Sequence, residues 1–149
     1  MELQANVIDT TKEIFSTMLM MEVEVDGEIT SEGVDLVNSI TGMVGFAGTV
    51  KGVLALHFAR LVAYDVTANF LGPEIGDDDV DDAIGELANM LGGGVKGMFT
   101  DSGRDIDLSL PSIIRGEHYH FQCNKHARRM VIPFKSDAGI FYVELQLEG

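Results

Sequence analysis

GDDDVDDAIGELANMLGGGVK, residues 76–96, sets apolar side chains at Ile84, Leu87, Ala88, Leu91 and Val95. At about 3.6 residues per turn these share one side of a helix, and Met98 extends the row. Asp82, Glu86, Asn89 and Gly93 fall on the other side, spaced by four, three and four residues, so they form one outward stripe. Asp77, Asp78, Asp79, Asp81 and Asp82 crowd the first turns, where carboxylates cap free N–H groups and suit the positive end of the helix dipole. The spacing therefore predicts a long helix over 77–100 with one face on a sheet. Gly92-Gly93-Gly94 lies inside it, although each glycine costs about 1 kcal/mol relative to alanine. Close backbone approach is expected there, by another helix or by a partner surface.

Working outward, residues 61–70 repeat apolar side chains at helical spacing and stop at Leu71-Gly72-Pro73, which predicts a second helix. Residues 5–20 place Val7, Thr11, Ile14, Phe15 and Met18 on one face, a further helix at the start of the chain. Met21, Val23 and Val25 then alternate with Glu22 and Glu24 as in a half-buried strand. Residues 39–47 and 50–59, joined near Gly48 and Thr49, read as a hairpin. A short strand over 106–110 precedes Pro111, and three more follow over 113–123, 127–135 and 139–147. Pro133 cannot donate a ladder hydrogen bond, so its strand is expected at a sheet edge or at a bulge, and such an edge could pair with a second subunit. The fold class is α/β in content and α+β in arrangement: two long helices packed on antiparallel sheets, in a single domain over 1–149.

An internal echo supports this. Moving the chain by 73 residues lays Asp9, Glu13 and Ser16 on Asp82, Glu86 and Asn89, and Asn38-Ser39-Ile40 on Pro111-Ser112-Ile113. A pseudo-two-fold repeat is expected, with asparagine kept on one helix only.

Composition narrows the function. With 149 residues, 46% of them hydrophobic, the chain can bury a core of its own. Twenty-four acidic against ten basic residues give a net charge of −14, which repels nucleic acid and anionic membranes alike. One cysteine, Cys123, cannot form an internal disulfide and is expected to be a buried apolar residue. The N-terminus lacks the basic-then-apolar order of a signal, and no apolar run approaches the ~20 residues of a membrane span. A cytoplasmic protein is expected. No phosphate-cradling P-loop, nucleophile elbow or Ser-His-Asp order is present, so covalent catalysis has no candidate. His118 and His120 share one face of a strand, with Gln122 beside them, but no third strong metal ligand is evident nearby, and no metal site is expected. The acidic run at 77–82 lacks the glycine and terminal glutamate of a calcium loop.

Asp82, three residues, Glu86, two residues, Asn89 and the later Pro111 resemble the mark of the CheC, CheX and FliY phosphatases of bacterial chemotaxis. Gly93-Gly94-Val95-Lys96 and the order of helices and strands extend the resemblance along the chain. The first copy carries Ser16 for asparagine and Asn38 for proline, and a single motif points to the CheX branch. The resemblance implies a CheC-like fold, a homodimer, and as substrate the phospho-aspartate of a CheY-like response regulator. It implies that Glu86 grips the active-site lysine of the regulator while Asn89 orients the attacking water. Asp82, Gly93 and Lys96 would contact the partner, and Pro111 would be a structural part of the motif. No cofactor is expected on this chain, and Mg2+ would come with the regulator. Acyl-phosphate hydrolysis suits such a pair, because positioning and charge carry phosphoryl transfer and an amide can hold water without acting as a base. Two other readings stand beside this one: a non-catalytic adaptor binding a regulator through the same helix face, and a sensor holding a metal at a different face, that of His118 and His120.

Overall fold

The structure, a computed structural model, describes residues 2–122 and 126–148. Its elements run α1 (Leu3–Leu19), β1 (Glu24–Val25), β2 (Asp35–Gly48), β3 (Lys51–Ala59), α2 (Arg60–Leu71), α3 (Asp77–Asp101), β4 (Ile106–Leu108), β5 (Ser112–His120), β6 (Arg128–Ser136) and β7 (Gly139–Glu148). The strands make one antiparallel sheet in the order β1-β6-β7-β3-β2-β4, with β5 also on β2. The expected plural sheets are thus one. β2 is 14 residues long, and its outer edge serves two neighbours, β5 along 35–43 and β4 along 46–48. Cys123 lies outside the described residues.

The order α1-β1-β2-β3 recurs as α3-β4-β6-β7, and each hairpin receives the short strand of the other half: β1 lies on β6 and β4 on β2. Read from either end, the sheet has the same sequence of parts, which is the expected two-fold. The constant shift of 73 residues holds only for the helices. Asn38-Ser39-Ile40 sits in β2, whose counterpart is β6, whereas Ser112 opens β5, the hydrogen-bonded neighbour of β2. The inserted β5 lengthens the second half, so no single offset can align both helices and strands.

Pro133 is not on the edge. Asp26 N–H donates to its carbonyl at 2.8 Å, and Thr30 exchanges both backbone bonds with Val131. Since Val131 turns its N–H towards Thr30, Pro133, two residues on, turns its nitrogen the same way and removes no bond to β7. Two-residue β1 and Thr30 occupy the side that was expected to be open, and among the described residues β5 pairs only with β2.

Helices cover one face of the sheet. Phe141 stacks on Phe15, Phe58 and Phe134 at ring separations of 4.7, 5.1 and 5.3 Å, tying α1 to three strands. On α1 the buried row is Val7, Thr11, Phe15 and Leu19, while Met18, expected there, is exposed because Leu19 takes the inner position. On α3 the expected row is buried from Ile84 to Val95, and Phe99 rather than Met98 completes it. The seat of α3 is close on both sides: a Cβ at Gly42 of β2 would stand 2.9 Å from the Ile84 carbonyl oxygen, and one at Gly92 would stand 2.7 Å from Val44 Cγ2. Glycine at these two points brings helix and strand nearer than any side chain would allow.

The other face buries polar groups. His57 Nδ1 lies 2.7 Å from Thr41 Oγ1 and its Nε2 3.1 Å from Glu144 Oε1. Gln146 donates to Glu144 Oε2 at 2.7 Å, and Arg129 Nε forms an ion pair with that oxygen at 3.0 Å, out of line for a hydrogen bond. Tyr119 of β5 reaches the same network through Thr41 at 2.8 Å. Burial pushes the Tyr119 hydroxyl above its ordinary value, against the pull of that hydrogen bond. The neutral hydroxyl therefore supports the fold fully below pH ~10, and this support is lost as pH rises through the higher folded value.

Gly42→Ala should lower the free energy of unfolding in urea by about 1–3 kcal/mol, because the group it meets is a helix carbonyl that cannot turn aside. An unchanged midpoint would show that α3 is not held this close to β2.

Candidate functional site

The first turn of α3 is fixed by its own acids. Gly76 N–H donates to Asp79 Oδ2 at 2.9 Å. Arg115 of β5 donates through Nε to Asp81 Oδ1 at 2.7 Å and through a second nitrogen to the Asp77 carbonyl at 2.9 Å, while Arg60 stands 4.0 Å from the Asp77 carboxylate. Two arginines thus offset part of an acidic helix start, and among the described residues Asp78 and Asp82 have no such partner. Sequence reasoning missed both arginines, since only the pairing of β5 with β2 and the start of α2 bring them there. Between them, with Asn38 and Glu117, opens a cleft of about 300 Å³. Asn38, the expected counterpart of Pro111, lines this cleft with a φ of 44°, a left-handed conformation that asparagine tolerates.

Beyond that turn runs the stripe. Asp82, Glu86, Asn89 and Gly93 are all exposed, and among the described residues the side chains of Asp82, Glu86 and Asn89 have no hydrogen-bond or ion-pair partner. Lys96, two turns past Asn89, is half-buried. Pro111 closes the site from the sheet side: its Cβ and Cγ would lie 3.7 and 3.8 Å from a Cβ at Gly85, with Ile113 Cδ1 at 3.6 Å. The proline ring therefore rests on the helix backbone immediately before Glu86. That contact joins residues the sequence could only place 26 positions apart.

The glycine run resolves into separate roles. Gly92 faces Val44, and Gly94 faces α1, where a Cβ would meet Thr10 Cγ2 at 2.6 Å. Only Gly93 points outward, with nothing within 4 Å of a Cβ built on it. The helix that approaches the run is thus α1 of the same chain. α1 carries its own exposed stripe of Asp9, Glu13 and Ser16, in which a hydroxyl replaces the amide. His118 and His120 lie at the far end of β5, away from these groups.

Chemically, the α3 face offers one carboxylate and one carboxamide, a turn apart on a helix held by the sheet, both open to an incoming surface. It can hold a water by the amide and a cation by the carboxylate.

The fold that carries this face is that of the CheC-like proteins. The structure matches a CheC-like superfamily protein from Shewanella sp. PV-4 at 27% identity and a TM-score of 0.85, over 99% of this chain and 97% of that one. It matches chemotaxis protein CheX from Desulfovibrio desulfuricans at 26% identity and a TM-score of 0.88, over 99% and 100%. A chain of the CheX-CheY-BeF3-Mg2+ complex from Borrelia burgdorferi shares the fold at 19% identity and a TM-score of 0.81, over 99% of each chain. A search of the curated proteins gives no match. The sequence profile described as chemotaxis phosphatase CheX matches residues 40–135, more than half of the chain, and the chain belongs to that family. No helix among the described residues is long and apolar enough to cross a membrane.

Gly93→Ala should stabilise the protein, by up to about 1 kcal/mol in thermal unfolding, because the new methyl meets open space and alanine favours the helix. Destabilisation would mean that Gly93 is packed against something in solution.

Proposed function

We propose that this chain hydrolyses the aspartyl phosphate of a CheY-like response regulator, acting in the cytoplasm through Glu86 and Asn89. The observation that carries this reading is the exposed, unpartnered Glu86–Asn89 pair on a helix whose inner face is locked to the sheet and whose flank is braced by Pro111. The Borrelia burgdorferi neighbour, a complex of CheX with CheY, BeF3 and Mg2+, supports a partner of this class.

In this reading the Asn89 carboxamide enters the regulator's pocket and orients a water in line with the phosphorus. The water oxygen bonds to phosphorus, the bond from phosphorus to the aspartyl oxygen breaks, and a free carboxylate and inorganic phosphate result. The Glu86 carboxylate accepts from the regulator's active-site lysine and holds the two proteins in register. Mg2+ belongs to the regulator, and this chain supplies no nucleophile and needs no cofactor of its own. Most of the rate gain is then positional. Gly93 admits the regulator's backbone, with Asp82 and Lys96 on the rim. The homodimer implied by family resemblance has an open edge to use at β5. Light scattering on purified protein should then return the mass of two 16.2 kDa chains, and a strictly monomeric mass would remove this part of the proposal.

Loss of phosphate from a phosphorylated regulator tests the chemistry. Asn89→Ala should slow turnover by about 10²-fold with little change in affinity, and Glu86→Ala should weaken both. Rates equal to wild type in both variants would refute the assignment. Binding with no turnover even in wild type would make the chain an adaptor that uses the same face.

A further inference from the structure

The third metal ligand that the sequence lacked is supplied by another strand. In the β2–β5 ladder Asp35 lies directly opposite His120, with His118 two residues further along the same face. His118 Nε2 is 2.9 Å and His120 Nε2 is 3.3 Å from Asp35 Oδ1, and donor atoms of all three residues lie within 4.8 Å of one another. We propose that Asp35, His118 and His120 form a binding site for a late first-row divalent metal, with Zn2+ the best fit.

The geometry suits the ion. Zinc bonds of about 2.0–2.1 Å in tetrahedral array hold donors roughly 3.3 Å apart, close to the two separations already present. Two imidazoles and one carboxylate match the three-ligand zinc set that leaves a fourth position to water, and they disfavour Mg2+ and Ca2+, which take oxygen shells. The backbone is held without the metal: between the histidines Tyr119 turns to the opposite face and bonds Thr41, and Leu36 and Phe121 are buried beneath. All three ligands are exposed, so an ion can enter without unfolding the strand. A net charge of −14 raises the local concentration of cations.

The site does not rest on the phosphatase reading. From Pro111 to His118 an extended strand covers about 23 Å at about 3.3 Å per residue, so the metal would sit at the opposite end of β5 from Glu86.

Untagged protein stripped with a chelator and titrated with Zn2+ in a calorimeter tests the proposal, with circular dichroism to check each variant's fold. One Zn2+ per chain is expected, with affinity falling at least tenfold in His118→Ala, in His120→Ala and in Asp35→Asn. Asp101→Asn, which removes an equal charge elsewhere on the surface, should bind as wild type does. Millimolar Mg2+ should not displace the ion. Zn2+ binding that survives unchanged in the double variant His118→Ala/His120→Ala, that weakens equally in Asp101→Asn, or that is absent from wild type would overturn the site.

Discussion

The approach of α3 to β2 is the constraint on which the rest of this molecule depends. Gly42 on the strand receives Ile84 of the helix, and Gly92 on the helix receives Val44 of the strand. With a glycine on each side, the two backbones meet at two points, and the rotation of the helix about its own axis is determined. Residues opposite those contacts must then face solvent. Packing that tight leaves little freedom for small displacements, because a protein interior resists the addition of even one methyl group.

That rotation explains how a stripe of polar groups becomes a usable site. Among the described residues Glu86 and Asn89 have no partner, while Asp79 and Asp81 at the helix start are engaged by the Gly76 amide and by Arg115. Thr10 of α1 against Gly94 steadies the second half of the helix, and Pro111 against Gly85 steadies the first. A helix gripped at four points presents two side chains from a backbone with little freedom left to lose, a condition that favours acceleration by positioning. The family to which the chain belongs is one of chemotaxis phosphatases, and this geometry gives a physical reason for such a role.

β5 breaks the internal symmetry and in doing so links the parts. It is the strand with no counterpart in the first half, and it delivers Pro111 to α3, Arg115 to the acidic helix start and Tyr119 to the buried His57–Glu144 network. The same strand sets His118 and His120 beside Asp35. Its insertion also explains why a repeat plain in the helices fades in the strands.

The amino-acid sequence by itself determined the elements and the outward stripe, because both depend on local periodicity: apolar residues at helical spacing in α3, alternation in β7, aspartates at a helix start. It also carried the motif of Asp82, Glu86, Asn89 and Pro111, and with it the family. What it could not show were pairings between distant residues. That Pro133 is covered by Thr30 and Asp26, that Gly92 and Gly94 serve the protein's own packing while Gly93 alone faces outward, and that Asp35 meets two histidines more than eighty positions away were decided by tertiary structure. Strand register and helix rotation are set by the sum of contacts across the whole sheet, and no local pattern records that sum.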